Sequence, residues 1–193
     1  APLAWTIQRA REYNDEARVS CTPNARVSMG AGIGVNGPTL ISVKYSNNTE
    51  LFDDSSGRCV HLDGKLPGWA VTVDLKTGRT YTAEDILKPE TLTEPGLRTL
   101  WSRTTLKSEW AYWGPEGCVT RAYPERSDLF PRQAPGARGP EQQPPYVTLF
   151  LAPDHIEVIT SDEGSACPNE VRAAPYAKVR DLLNPRIVGQ LPA

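Results

Sequence analysis

A chain of 193 residues with 39% hydrophobic and 23% charged side chains can bury a core, which argues against general disorder and against a membrane-embedded body. Its 21 basic and 23 acidic residues leave a net charge of −2 without any run of like charge, so the basic stripe that phosphate backbones require is missing. No stretch approaches the ~20 apolar residues of a spanning helix, and neither nucleic acid nor a transmembrane segment is expected.

The chain opens at Ala1-Pro2-Leu3 without a charged or apolar leader, and any export signal is expected to have been removed. Ile7, Ala10, Asn14 and Ala17 fall on one side of a short helix that cannot continue past Pro23. Ile41, Val43 and Tyr45 alternate with Ser42 and Lys44, which predicts a strand over Leu40 to Tyr45, and Asn47-Asn48-Thr49 is expected to turn the chain. Trp69, Val71, Val73 and Leu75 share one face of a second strand. Lys76-Thr77-Gly78 then makes a tight turn into Arg79-Thr80-Tyr81, giving a β-hairpin.

Thr82 followed by Asp85 is a capping-box variant that starts a helical turn, stopped by Pro89. A longer helix is predicted from near Pro95 to Gly114, with Leu97, Leu100, Trp101, Leu106, Trp110 and Trp113 as its core stripe. Residues 123–145 carry six prolines among Gly, Arg and Gln and read as a long mobile surface loop. Tyr146 to Leu151 and His155 to Thr160, separated by Ala152-Pro153-Asp154, predict a second hairpin. A last helix is expected over Pro175 to Leu183, closed by Asn184-Pro185. Without a βαβ rhythm, the fold class is α+β, a single domain over 1–193 with an antiparallel sheet packed against a few helices.

Cys21, Cys59, Cys118 and Cys167 are widely separated, with no C-x-x-C pair to grip zinc. An even number of isolated cysteines favours two disulfides and an oxidising compartment. Of the three possible pairings, Cys21 to Cys59 and Cys118 to Cys167 are expected.

Gly32-Ile33-Gly34-Val35-Asn36-Gly37 matches the dinucleotide fingerprint literally, but Pro38 and a strand follow where a helix is required, so a flexible or bulged loop is expected. His61 and His155 have no metal-ligand spacing, and no nucleophile elbow is present, so no cofactor, metal or catalytic residue is assigned. His155 is expected to be an exposed imidazole beside a turn. Asp154 with Glu157, and Asp53 with Asp54, are candidate paired carboxylates or calcium ligands, although a solvated turn accounts for both. Asn47-Asn48-Thr49 is also a glycosylation sequon.

Two blocks, residues 69–79 leading into 82–87 and residues 146–185, resemble the secreted family that joins the extracytoplasmic lysozyme-receptor domain of the anti-sigma factor RsiV to mycobacterial secreted immunogenic antigens. The first block has the strand, the Asp-x-x-Thr-Gly turn and the acidic helix of that family. The second has its aromatic strand, Pro-Asp turn, β-rich strand, Pro-Tyr and terminal helix. The glycine-rich segment usual after the early strand is replaced by Cys59-Val60-His61 and Leu66-Pro67-Gly68, so lysozyme recognition does not carry over by residue. The resemblance implies an extracytoplasmic α+β fold without enzymatic activity, secreted or lipid-anchored in the bacterial envelope, and the proline, alanine and arginine content fits an actinobacterial source. The partner is then expected to be a protein or a wall component. Asp162, Glu163, Gly164 and Ser165 in the loop Ser161 to Asn169, with Arg58 and His61 in the neighbouring loop, are the candidate partner-binding residues. The competing readings are a wall-modifying hydrolase, and a small-molecule or lipid carrier with a cavity lined by the Trp101 helix.

Overall fold

The computed structural model of the protein describes residues 25–51, 68–107, 123–133, 142–143, 145–160 and 170–192. The four cysteines, the Ile7 to Ala17 helix, Trp110, Trp113, Asp53, Asp54 and every candidate partner-binding residue lie outside them.

Strand β1 (Ala25–Asn36) pairs antiparallel with β2 (Leu40–Leu51), which pairs with β3 (Trp69–Asp74) in the order β1-β2-β3. The strand predicted to end at Tyr45 runs six residues further. Asn47, Asn48 and Thr49 do not turn the chain but pair with Met29, Ser28 and Val27. The pairing of β3 with β2 ends at the Tyr45↔Trp69 pair. The glycine run is neither a phosphate loop nor an irregular one. It is strand, with a one-residue bulge: three steps from Ile33 to Asn36 on β1 oppose two from Val43 to Ile41 on β2. The bulge buries consecutive Gly34 and Val35.

The hairpin after β3 forms as expected but is short, with one Val73↔Thr80 bridge. Asp74 Oδ1 accepts from the N–H groups of Lys76 (2.8 Å) and Thr77 (3.1 Å), and Gly78 takes φ of 70°, which only a residue without a Cβ adopts cheaply. The first helix, α1 (Ala83–Ile86), starts on its capping box: Asp85 accepts from the Thr82 N–H at 2.8 Å and is gripped by both ends of the Arg79 guanidinium at 2.8 and 3.0 Å.

The second helix, α2 (Glu94–Arg103), is shorter than its stripe of apolar residues suggests. Leu97 and Leu100 are buried, but Thr104 turns its hydroxyl onto the Trp101 carbonyl at 2.7 Å. The β-branched pair Thr104-Thr105 takes extended backbone, and β4 (Thr105–Leu106) joins a second sheet. Leu106 is therefore exposed strand, not helix core.

That sheet has the order β4-β9-β8-β7, with β7 (Val147–Leu151), β8 (His155–Thr160) and β9 (Val171–Pro175) all antiparallel. The β7–β8 hairpin is the one expected. The terminal helix is not continuous: α3 (Tyr176–Val179) gives way to a 3-10 turn over Arg180–Leu182, and Leu183 bridges to Leu87. Asn184-Pro185 opens a further helix, α4 (Pro185–Val188), with the Asn184 side chain accepting from the Arg186 N–H at 3.1 Å.

The described part of residues 123–145 is not all surface loop. Arg126–Leu129 form a 3-10 helix whose Leu129 is 4% exposed within the main core, and short β5 (Arg132–Gln133) pairs with β6 (Gln142–Gln143). Leu129 and Phe130, two apolar residues among the prolines, are enough to pin this end of the segment.

The second sheet is covered on both faces. Val147, Leu149, Leu151, Ile156, Val158 and Ala174 meet the helices in the main core, while Phe150, Ala152, Ile159 and Val171 form a smaller cluster with Ala70 of the first sheet. The fold is thus α+β with two antiparallel sheets and short helices. Among the described residues, no helix is long and apolar enough to cross a membrane.

Candidate functional site

The strand alternation places His155, Glu157 and Ile159 of β8 on the face turned toward the first sheet. Glu157 is only 1% exposed, and three cations or potential cations converge on it. Lys107, just beyond β4, reaches Oε1 at 2.6 Å. Lys44 of β2 reaches Oε2 at 2.8 Å and Oε1 at 3.1 Å, and His155 Nε2 lies 3.2 Å from Oε1. The opposite ring nitrogen, Nδ1, lies 2.5 Å from the exposed Asp154.

Each partner is positioned by local sequence. Lys107 is held where its backbone N–H donates to the Val171 carbonyl at 3.0 Å. Lys44 lies beside its cross-strand neighbour Gly32, where even a Cβ would come within 3.3 Å of the lysine stem, and its ammonium sits 4.9 Å from the centre of the Phe150 ring. Gly34, on the same strand, lets the first sheet approach β7 so closely that an added Cβ would fall 2.0 Å from the Leu151 carbonyl oxygen. The fingerprint glycines therefore serve sheet packing around Lys44.

Burial pushes the Glu157 carboxyl up, but hydrogen bonds from Lys107, Lys44 and His155 outweigh it and hold the group below the usual carboxylate range. The bond to His155 likewise lowers Asp154. An ionised carboxylate with both oxygens engaged has no proton to give, so the cluster is suited to joining β2, β4 and β8 by charge. The solvated-turn account holds for Asp154 and fails for Glu157, and His155 is not a free exposed imidazole. Among the described residues no group of three His, Cys, Asp or Glu is arranged to hold a metal ion.

Sequence reasoning named Asp154, His155 and Glu157 but missed Lys44 and Lys107. The signal was present in the alternation of β2, whose polar positions Ser42 and Lys44 face the second sheet. Ser42 is completely buried, its Oγ accepting from the Leu151 N–H at 3.1 Å and from the Thr72 hydroxyl at 3.0 Å. Thr148 Oγ1 accepts from the Ala70 N–H at 3.0 Å in the same layer. Hydroxyls thus satisfy edge amides where the two sheets meet without a shared ladder.

Two other features adjoin this layer. A recess of about 120 Å³ opens between β3 and β7, lined chiefly by apolar side chains that include Trp69, Val71, Ile86 and Leu129. Trp101 lines only about 10 Å³ and has the Arg172 guanidinium 4.6 Å above its ring. At the far end of β8, Thr160 and Glu170 close the neck of residues 161–169. The Thr160 N–H donates to the Glu170 carbonyl at 2.9 Å, the Glu170 N–H donates to Thr160 Oγ1 at 3.2 Å, and that hydroxyl donates back to the carbonyl at 3.2 Å. Glu170 Oε1 accepts from Arg172 at 3.0 Å, whereas buried Oε2 accepts no hydrogen bond among the described residues.

Compared with known proteins, the chain matches no protein-family model and no curated protein.

Proposed function

We propose that the protein is a non-catalytic binding protein of the bacterial envelope, acting outside the membrane, that presents residues 161–169 to a protein or wall ligand. The observation that carries this reading is the neck. Thr160 and Glu170 are held by three mutual hydrogen bonds at the junction of β8 and β9, so a segment leaving them starts from fixed ends and loses less entropy on binding. Glu170 Oε2 adds a buried acceptor at the base of that loop. Asp162 and Glu163 supply charge for steering, and Gly164-Ser165 allow close approach to backbone. The resemblance to the RsiV-type family points to the same compartment and to a protein ligand.

The hydrolase alternative would use His61 or His155 and the carboxylates, and at Glu157 it meets a carboxylate whose oxygens are already engaged by two lysines. The test is capture of partners from the native envelope by wild type and by the double charge reversal Asp162→Lys, Glu163→Lys. As surface changes, these should shift stability by only about 0.5 kcal/mol. A partner retained by wild type and weakened at least about tenfold by the folded variant supports the reading; equal retention removes the loop from it. Loss of a measured hydrolytic turnover in His155→Ala would instead establish the alternative.

A further inference from the structure

The recess between β3 and β7 has a lining chemistry that the loop reading does not use. Its wall is apolar, built by Trp69, Val71, Ala83, Ile86 and Leu129, and two buried threonines belong to it: Thr72, whose hydroxyl donates to Ser42 at 3.0 Å, and Thr148. Thr148 is 7% exposed and its oxygen accepts from the Ala70 N–H, yet its own proton is donated to no acceptor among the described residues. A buried hydroxyl ordinarily uses both capacities, because a donor left unpaired away from water forfeits its hydration. The volume, about 120 Å³, is close to that of an apolar protein cavity of about 150 Å³ that stays dry and takes up benzene.

We propose that this recess is a binding site for a small apolar molecule of about seven non-hydrogen atoms that carries one acceptor oxygen, such as a cyclic ketone. The ring fills the space beside Trp69 and Ile86, and the oxygen accepts the Thr148 proton. A purely apolar guest would leave that proton unpaired, and a charged guest would lose its hydration against an apolar wall. The alternative carrier reading placed a cavity at the Trp101 helix, but the room lies at Trp69, on the other side of β7's edge contacts.

The probes are cyclohexanone and methylcyclohexane, matched in size and differing in the acceptor. Each is titrated into the full chain while backbone amide NMR shifts of Val71, Ala83, Thr148 and Leu149 are followed. Both probes should shift these amides, saturably and in the millimolar range. Thr148→Val should weaken the ketone roughly two- to tenfold, the net worth of one hydrogen bond, and leave the hydrocarbon as tight or tighter. Thr148→Ser, which keeps donor and acceptor, should retain ketone affinity, so it carries the test if the valine variant does not fold. Ala83→Leu, which adds three carbons to the wall, should weaken both probes. Absence of saturable shifts with either probe overturns the site. Binding of both with an unchanged ratio in Thr148→Val overturns the role of the hydroxyl and with it the proposed ligand class. Because the loop reading does not use the recess, either failure leaves that reading untouched, and loss of partner capture leaves this one untouched.

Discussion

Replacing Glu157 with glutamine should destabilise the protein by about 2 to 3 kcal/mol at neutral pH. Removing one member of a buried ion pair costs about 3 to 5 kcal/mol when the remaining charge is stranded. Here the charges that lose the carboxylate are Lys44 and Lys107, whose side chains keep 35% and 29% of their exposure, so part of their hydration is recovered and the loss falls below that range. Urea denaturation at pH 7 with linear extrapolation measures it. The pH dependence separates charge from packing. Glu157 is held below the unfolded value of about 4.3, so its contribution is fully present above that pH and is lost as pH falls through the lower folded value. The gap between wild type and Glu157→Gln should therefore be constant from pH 7 to about pH 5 and narrow below about pH 4. A second check is the double-mutant cycle with Lys44→Met, which keeps the apolar stem beside Gly32 and should show a coupling of about 1 kcal/mol. Stability of Glu157→Gln within about 0.5 kcal/mol of wild type, or a gap that persists unchanged in acid, would refute the account of this cluster as an electrostatic joint.

Gly34→Ala should lower stability by at least about 2 kcal/mol in the same assay, since its Cβ would meet the Leu151 carbonyl and the Phe150 ring at 2.0 and 2.7 Å, whereas Gly32→Ala faces only the flexible Lys44 stem and should cost less than about 1 kcal/mol. Equal effects would mean that the sheets do not approach as closely as described. Leu129→Ala should cost about 2 to 4 kcal/mol, and a melting temperature unmoved by it would return the whole of residues 123–145 to the surface. Tyr176→Phe removes a 2.7 Å hydrogen bond to the buried Ala152 carbonyl and should cost about 1 kcal/mol. Burial, reinforced by the Asp154 charge, pushes the Tyr176 phenol well above the usual range, so in a spectrophotometric titration of the folded protein Tyr176→Phe should remove absorbance change only from the most alkaline part of the curve.

Local chemistry was readable wherever one residue dictates its own backbone. The Thr82–Asp85 cap, the Asp74 to Gly78 turn and the Pro153-Asp154 corner between β7 and β8 each satisfy their amides within a few residues. That is why the start of α1 and both hairpins appear in the sequence where the structure has them, whereas Asn184-Pro185, read as a helix end, opens α4. The pattern misled where the partner is distant. The apolar stripe from Leu97 to Trp113 has helical spacing, yet the extended pair Thr104-Thr105 gains a place beside β9 that no local count reveals. Leu129 and Phe130 were lost among prolines because two apolar residues make no period.

The sequence by itself determined the α+β class, the β7–β8 hairpin and the presence of Asp154, His155 and Glu157 side by side on one strand end. Only the tertiary structure decided that Glu157 faces inward, that Ser42 of β2 is buried and that Lys44 turns toward the glutamate. Alternation along a strand says that two faces differ, and a sheet with one wet face would have sent Lys44 and Ser42 to water. In this fold a second sheet lies on that face, so a lysine and a glutamate 113 positions apart neutralise each other, and two glycines that resemble a phosphate loop make the room for them to meet.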